Sequence, residues 1–314
     1  MERIEAAIAN AIKYRPLNAL ITETFDLARK QAQNAISQGI KPFPVVIKDC
    51  FTVEGVPTTC ASKMLEGFMP QYSATAAQRL IDSGGCLIGK GNMDEFSMGT
   101  SSSLGHFGPV KNGLSKVESI DEDWIVPGGS SGGPGVAVQM GMADCALGSD
   151  TGGSVRNPAA FTGTFGFKPT YGRISRSGLI PLVNSLEAPA IFAQSASDCG
   201  KYFDVINRGE YFERALKVRR LIANEIYKVF DEVDLLLTPV AQGAPPLFSH
   251  LHAGNFSRES TDDFYTQSVN MAGVPAISIP LGEAEGLPLA IQLIANRKED
   301  EMLLQAAQVL YQAR

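Results

Sequence analysis

The chain has 314 residues, enough for a large hydrophobic core, and its 44% hydrophobic and 19% charged residues are typical of a globular protein. Its formal net charge of -6 argues against a chain whose main role is to bind a polyanion, because nucleic-acid-binding domains concentrate lysine and arginine. The five cysteines include no C-x-x-C pair, which indicates reduced thiols rather than a disulfide framework.

The first part of the chain predicts two surface helices, followed by strands that alternate with helices. Apolar spacing indicates helices at 4–13 and 17–37, and Gly39 with Pro42 marks the end of the second. The run Val45-Val46-Ile47 predicts a buried strand that delivers Lys48 into a cleft. A helix is predicted at 74–82, and strands at 86–89, 145–148, 234–239, 276–280 and 289–294. This alternation predicts one α/β domain over 1–314, with a central sheet flanked by helices on both faces.

Two glycine-rich turns carry serines. Ser130 and Ser131 lie within Gly128–Gly133, and Ser154 follows Gly152 and Gly153. Glycine allows a reacting carbonyl to approach main-chain N–H groups closely, as oxyanion stabilisation requires. A buried segment follows each turn, which argues against flexible linkers.

Together with Lys48, these turns resemble the motif of the amidase signature family, the Ser-cisSer-Lys hydrolases. The resemblance implies a mixed sheet and a nucleophile, Ser154, that attacks an amide carbonyl. Ser130, after a cis peptide bond, would relay the proton, and Lys48 would accept it. Lysine accepts a proton only when neutral, so its pKa must be lowered by burial.

The same resemblance assigns supporting roles. Thr151, Gly152 and Gly153 would form the oxyanion hole with their backbone N–H groups. Ser131 and Asp150 would hold the two turns through hydrogen bonds. For Arg156, both substrate binding and a salt bridge within the fold remain open.

Two sequence segments place the resemblance in one branch of the family. Gly91–Gly99 and Phe107–Asn112 are similar to the A subunits of glutamyl-tRNA(Gln) amidotransferases, and Val269–Pro280 agrees with them. This branch hydrolyses glutamine to supply the ammonia that converts Glu-tRNA(Gln) to Gln-tRNA(Gln). Asp263 corresponds to the carboxylate that holds the α-amino group of glutamine, although a helix-start or surface carboxylate is the alternative.

The resemblance also implies a complex. The partners expected are the B subunit of the amidotransferase and, in some members, a third small subunit, with ATP and Mg bound on the partner and tRNA contacted mainly through it. No cofactor or metal is expected in this chain. No apolar segment has membrane-spanning length, so no membrane contact is expected. Departures from the bacterial pattern favour the mitochondrial matrix, with a fungus as one candidate source; the alternative is bacterial cytoplasm.

Two departures from the family pattern stand out. A long stretch that family members carry is missing near 206–211, and it includes the arginine that binds the glutamine carboxylate. Arg208 and Arg214 are weak substitutes, so that role stays unassigned. Pro134 replaces a small residue, which is tolerable near the start of a helix.

Several alternatives are weighed against this interpretation. A free-standing amidase for a small amide and a catalytically silent scaffold remain open. Cys50 is a weaker candidate nucleophile, since a buried thiol is the more common explanation for a cysteine in this context. Gly84–Gly91 resembles part of a phosphate loop but lacks the final Ser or Thr, so Lys90 is expected to be structural. His250 and His252 have no partner ligands at metal-binding spacing.

Overall fold

The computed structural model of the protein describes residues 1–115, 123–207, 219–243, 245–249 and 264–313. The strands are β1 (Leu20–Glu23), β2 (Phe43–Lys48), β3 (Gly85–Gly91), β4 (Cys145–Asp150), β5 (Phe165–Lys168), β6 (Ala188–Ala193), β7 (Leu235–Pro239), β8 (Ala276–Ala284) and β9 (Leu287–Ala295). They form one sheet in the order β1-β3-β2-β4-β6-β5-β8-β9-β7. Strand β2 runs parallel to β3 and β4, and the other neighbouring pairs are antiparallel. The sheet is therefore mixed, and the predicted fold class is confirmed.

Helices cover both faces of this sheet. They are α1 (Glu2–Lys13), α2 (Phe25–Ser37), α3 (Thr75–Asp82), α4 (Gly132–Gln139), α5 (Arg156–Thr162), α6 (Ala196–Ile206), α7 (Arg219–Val229), α8 (Gln267–Ala272) and α9 (Asp300–Gln312). Helices α1, α2 and α4 share one apolar cluster with Val46 of β2, whereas α3, α6 and α9 pack with Val45 and Ile47 on the opposite face. Alternate residues of a strand point to opposite faces, so a continuous apolar run is what a strand buried on both sides requires.

The predicted helix at 17–37 is wrong at its beginning. Asn18 adopts the left-handed conformation, and Leu20–Glu23 forms strand β1, which pairs with β3. The helix itself starts only at Phe25 and ends at Ser37. The β-branched residues Ile21 and Thr22 suit an edge strand, and the hydrogen bonds of β3 outweigh the weak helical preference of this segment.

Strands β5 and β6 and helix α6 were not predicted. Strand β5 has only four residues, and β6 is rich in alanine, so neither shows the β-branched run that identifies a strand. Helix α6 follows β6 directly and begins at Ser195, whose hydroxyl accepts a hydrogen bond from the Asp198 amide. These elements complete the centre of the sheet next to β4.

Lys90 has the structural role that was expected. It lies inside strand β3, so Gly84–Gly91 does not form a phosphate loop. The Lys90 Nζ is 2.9 Å from Asp49 Oδ1 and 2.8 Å from Thr58 Oγ1. The ion pair of Lys90 and Asp49 fixes the loop after β2 against β3.

None of the helices in the described ranges has the length and apolarity needed to cross a bilayer.

Candidate active site

Lys48 is the last residue of β2, and its side chain is fully buried. Its Nζ is 2.7 Å from Ser130 Oγ and 2.9 Å from Ser149 Oγ. Burial lowers the pKa of Lys48, while nearby acidic groups, among them Cys50 and Glu187, act in the opposite direction. An amine with a lowered pKa beside a hydroxyl is suited to accept that hydroxyl's proton.

The turn that carries Ser130 is held by Asp94. The peptide bond between Gly129 and Ser130 is cis. A Cβ on Gly129 would lie 2.3 Å from Asp94 Oδ2 and 2.6 Å from the Ser101 backbone nitrogen, so only glycine fits there. The Asp94 carboxylate in turn accepts hydrogen bonds of 2.8 to 3.1 Å from the backbone N–H groups of residues 102–104. Asp94 thus ties the loop after β3 to the turn of Ser130.

The turn that carries Ser154 connects β4 to α5 and contacts the first turn through the backbone. The Ser131 amide donates a hydrogen bond to the Ser154 carbonyl oxygen at 3.1 Å. The Ser131 hydroxyl donates to the Ser149 carbonyl at 3.2 Å. Ser154 is 8% exposed and Thr151 is 7% exposed, whereas Ser130 is completely buried. The two serine turns are therefore neighbours, with Ser154 on the more accessible side.

The second turn also offers hydrogen-bond donors. In the part of the chain that the structure describes, no group accepts a hydrogen bond from the backbone N–H groups of residues 151–154. Gly153 has a φ of +138°, a conformation that side-chain-bearing residues rarely adopt. Successive unpaired N–H groups before a helix are the arrangement that stabilises an oxyanion.

Asp150 and Arg156 form a buried ion pair beneath this turn. Arg156 Nη2 is 2.8 Å from Asp150 Oδ1, and both side chains are fully buried. Burial raises the pKa of Asp150, but the charge of Arg156 and its hydrogen bonds outweigh this effect and bring the pKa to about 2. Arg156 also donates to Gln292 at 2.5 Å and to the Asn270 side chain. Of the two interpretations of Arg156, the geometry supports the salt bridge within the fold.

Cys50 is not a suitable nucleophile. Its side chain is fully buried, and burial raises its pKa to about 11, so it is a thiol at neutral pH. Its sulfur lies 3.7 Å from Ser149 Oγ.

His106 lies near the surface, 4.0 Å from Glu66 and more than a third exposed. It is the one histidine within the described residues. A Ser-His-Asp arrangement therefore finds no support there.

Some predicted residues fall outside the described ranges. Asp263 is one of them, as are Arg208 and Arg214, and also His250 and His252. Their roles stay predictions. Among the described residues, no cluster of histidine, cysteine, aspartate and glutamate has the arrangement of a metal site.

Two residues of the site were missed. Ser149 lies in the second glycine-rich motif, but nothing in the motif distinguishes it from an ordinary strand serine. Glu187 follows no recognisable motif, and it reaches the site only because β6 pairs with β4. Strand pairing of this kind cannot be inferred from a single sequence.

Comparison with known proteins shows the family of this chain. A model of the Amidase family matches residues 2–210 and 206–304. The A subunit of the mitochondrial glutamyl-tRNA(Gln) amidotransferase of Rattus norvegicus is 32% identical over 456 residues, covering 94% of this chain and 87% of the relative. The corresponding protein of Homo sapiens is 32% identical over 459 residues, with coverages of 94% and 87%.

Solved structures show the same fold. The A subunit of the glutamyl-tRNA(Gln) amidotransferase of Thermotoga maritima has a TM-score of 0.82 at 25% identity, covering 96% of this chain and 89% of that one. A chain from a vestigial protein complex connected with the origins of an s-triazine catabolic enzyme has a TM-score of 0.88 at 22% identity, with coverages of 99% and 94%. At 22% identity, the similarity to this second structure supports a shared fold and nothing more.

Proposed function

We propose, from the premise that this chain belongs to the amidase family, that it is the glutaminase subunit of a glutamyl-tRNA(Gln) amidotransferase. The observation that carries the proposal is the buried Lys48 amine 2.7 Å from the Ser130 hydroxyl, beside the turn of Ser154. The likeness to mitochondrial and bacterial A subunits supports the choice of substrate.

The reaction begins when Ser154 Oγ attacks the side-chain carboxamide carbon of glutamine. The Ser154 proton passes to Ser130 Oγ, and the proton of Ser130 passes to Lys48 Nζ. Lys48 then returns a proton through Ser130 to the amide nitrogen, so that ammonia leaves and a glutamyl ester forms on Ser154. Water attacks the ester through the same relay, which releases glutamate and restores the hydroxyl.

The negative charge that develops on the carbonyl oxygen needs donors. The backbone N–H groups of Thr151, Gly152 and Gly153 supply them, and each such donor is worth about 3 kcal/mol of transition-state stabilisation. Ser131 and Asp150 keep this turn in place, the first through the Ser149 carbonyl and the second through Arg156. Asp263 would bind the α-amino group of glutamine.

The product ammonia requires a partner, because free ammonia is protonated in water at neutral pH. We infer a complex with the B subunit of the amidotransferase, which would bind ATP and Mg and carry most of the tRNA contact, joined in some organisms by a third small subunit. The mitochondrial relatives favour the mitochondrial matrix as the compartment, with bacterial cytoplasm as the alternative.

We also infer that a family segment is missing near 206–211. The two matches to the family model meet at 206–210. The alignment with the rat relative extends over 456 residues, more than the 314 of this chain. The relative therefore has residues without a counterpart here, which leaves the partner of the glutamine carboxylate unassigned.

The direct test is Ser154→Ala in the assembled complex. We expect glutamine-dependent formation of Gln-tRNA(Gln) to be lost while the reaction supplied with ammonium salt persists, because the nucleophile serves only the glutaminase step. Both rates are measured with Glu-tRNA(Gln) and ATP. Ser73→Ala, in the loop before α3, is the matched control and should retain both reactions.

Loss of both reactions in Ser154→Ala would contradict the assignment. Rapid hydrolysis of simple amides by the purified chain without a partner would favour a free-standing amidase. Retention of glutamine-dependent activity in Ser154→Ala, or failure of a serine-directed reagent to label Ser154 in the complex, would favour a scaffold without catalysis.

A further inference from the structure

Four acidic groups oppose the lowering of the Lys48 pKa: Cys50, Glu187, Asp94 and Asp150. Cys50 is a neutral thiol, and Asp150 is paired with Arg156 at 2.8 Å. Asp94 is satisfied by the three backbone N–H groups of residues 102–104. Just beyond this set, Asp49 has its own cation in Lys90 at 2.9 Å. Glu187 is different, because among the described residues it has neither an arginine or lysine in ion-pair contact nor hydrogen bonds to both of its carboxylate oxygens.

Glu187 is completely buried and only half satisfied. Its Oε2 accepts a hydrogen bond from the Leu182 amide at 2.6 Å. Its Oε1 is buried and accepts no hydrogen bond from the described residues. A buried carboxylate is costly unless a cation or several donors stabilise it. The largest effect that favours the ionised form of Glu187 is the charge of Lys48.

The strand register aims Glu187 at the site. Strands β4 and β6 are antiparallel, with Asp150 opposite Ala188. The next pair in this register brings Thr151 opposite Glu187. Because alternate residues of a strand share a face, Ser149 and Thr151 project on the same side as Glu187.

Ser149 contacts Lys48 on the sheet face that carries Glu187. Its hydroxyl is 2.9 Å from Lys48 Nζ, and the register of β4 and β6 puts its side chain on the same face as that of Glu187. An ammonium that donates to a hydroxyl leaves the hydroxyl proton free to point at a neighbouring acceptor. Ser149 is thus placed to connect the cation to the carboxylate without direct contact between them.

We propose that Glu187 is a positioning residue that balances the charge of Lys48 through the Ser149 hydroxyl and so keeps Lys48 basic enough to take the proton of Ser130. The proposal rests on the proposed Ser154-Ser130-Lys48 chemistry and adds a fourth, unassigned member to it. Burial alone would make the lysine amine a poor base, whereas a facing carboxylate stabilises its protonated form.

Lys48 and Glu187 each shift the pKa of the other toward its charged form. Burial raises the pKa of Glu187, and the charge of Lys48 is the largest effect that lowers it. Glu187 in turn opposes the lowering of the Lys48 pKa that burial causes. A general base works best when its pKa lies near the working pH, so the carboxylate adjusts Lys48 toward that range.

The test is the pH dependence of serine labelling in Glu187→Gln. Phenylmethanesulfonyl fluoride reacts with an activated serine whatever the natural substrate is, and intact mass with peptide mapping identifies Ser154 as the labelled residue. In the wild-type protein, labelling should rise with pH as Lys48 loses its proton. In Glu187→Gln the neutral amine should persist to lower pH, so this rise should move down by about 1 to 3 pH units. The rate at high pH should fall, because the base is weaker.

Glu187→Asp withdraws the carboxylate by one methylene and should move the rise in the same direction by a smaller amount. This variant decides the question if Glu187→Gln yields too little folded protein. Glu54→Gln, which removes an exposed carboxylate, is the matched control and should leave the profile unchanged. Thermal unfolding of each variant identifies any loss of folded protein.

A profile that stays in place or moves upward in the Glu187 variants would overturn the inference. A lower rate without a shift would indicate a purely structural role and would overturn it as well. Absence of labelling at Ser154 in the wild-type complex would instead count against the proposed nucleophile, so the two failures are distinguishable.

Discussion

Buried charge is concentrated around the serine turns, and two carboxylates there form ion pairs with buried cations. Asp49 pairs with Lys90, and Asp150 pairs with Arg156. Removing one member of a buried pair typically costs about 3 to 5 kcal/mol, because the other charge is left without compensation. These pairs therefore fix the ends of β2 and β4, from which Lys48 and the second turn extend.

The Asp150 pair should make the fold sensitive to acid. The folded pKa of Asp150 is about 2, below its usual 3.8, so its ionised form is stabilised by folding. That stabilisation is fully present above 3.8 and is lost as the pH falls through about 2. In Asp150→Asn we expect the fall in unfolding free energy between pH 4 and pH 2 to be smaller by about 2 kcal/mol. Urea unfolding at a series of pH values measures it.

The variant should also be less stable at neutral pH, because Arg156 remains buried without its carboxylate. Asp82→Asn, at an exposed helix end, is the control and should keep the wild-type pH dependence. An identical acid dependence in Asp150→Asn and the wild type would show that the pair carries no such linkage.

At the residue level, the sequence predicted the candidate site residues but not the residues around them. Glycine-flanked serines and a lysine at the end of a strand are unusual enough to be recognised, and the structure brings Lys48 into contact with Ser130. Ser149 and Glu187 are ordinary residues in the sequence. Their position beside Lys48 follows from strand register, which depends on the whole sheet.

At the level of elements, helix α4 shows why glycine recurs after the first serine turn. The helix begins at Gly132 and packs closely against the end of β3. A Cβ on Gly133 would lie 2.4 Å from the backbone oxygens of both Ala19 and Asn92. Such contacts involve main-chain atoms, so no side-chain rotation can relieve them.

Gly133→Ala should therefore destabilise the protein by about 3 kcal/mol, the upper end of what overpacking costs, and displace the turn of Ser130. Gly135→Ala, in the same helix, is the control. Its Cβ would meet Thr162 Oγ1 at 3.3 Å and Phe192 at 3.4 Å, contacts that small movements can relieve. Alanine also favours a helix by about 1 kcal/mol over glycine, so this variant should change stability by less than about 1 kcal/mol.

Urea unfolding and amide hydrolysis by both variants test this contrast. Equal effects of the two substitutions would mean that helix propensity, rather than the approach of α4 to β3, decides the outcome.

Elements with strong apolar patterns were predicted near their observed positions, as β2 and α3 show. Elements whose formation depends on pairing with neighbouring strands were not predicted. The segment of β1 was predicted as part of a helix because no turn signal separates Leu20–Glu23 from Phe25. Strands β5 and β6 are short or rich in alanine, and their central position in the sheet stabilises them more than their own composition does.

At the level of the whole molecule, the acidic balance limits what this chain binds alone. Its 33 acidic residues outnumber its 27 basic residues, and the resulting net charge of -6 opposes binding of a polyanion. We expect no saturable binding of labelled tRNA(Gln) by the purified chain at micromolar concentration and moderate salt, whereas the complex with its partner should bind. Fluorescence anisotropy measures both.

The salt dependence provides the control for this prediction. If the chain alone bound tRNA with a steep salt slope, it would contribute phosphate contacts of its own, and the assignment of tRNA binding to the partner would be wrong.

The Arg156 network has a consequence for how the turn of Ser154 folds during synthesis. Arg156 lies beneath this turn, yet its guanidinium is held by Asn270 of α8 and Gln292 of β9, which are made more than a hundred residues later. A nascent chain that still lacks β9 therefore has the turn without its anchor. The turn of Ser154 should reach its final conformation only after β9 has left the ribosome.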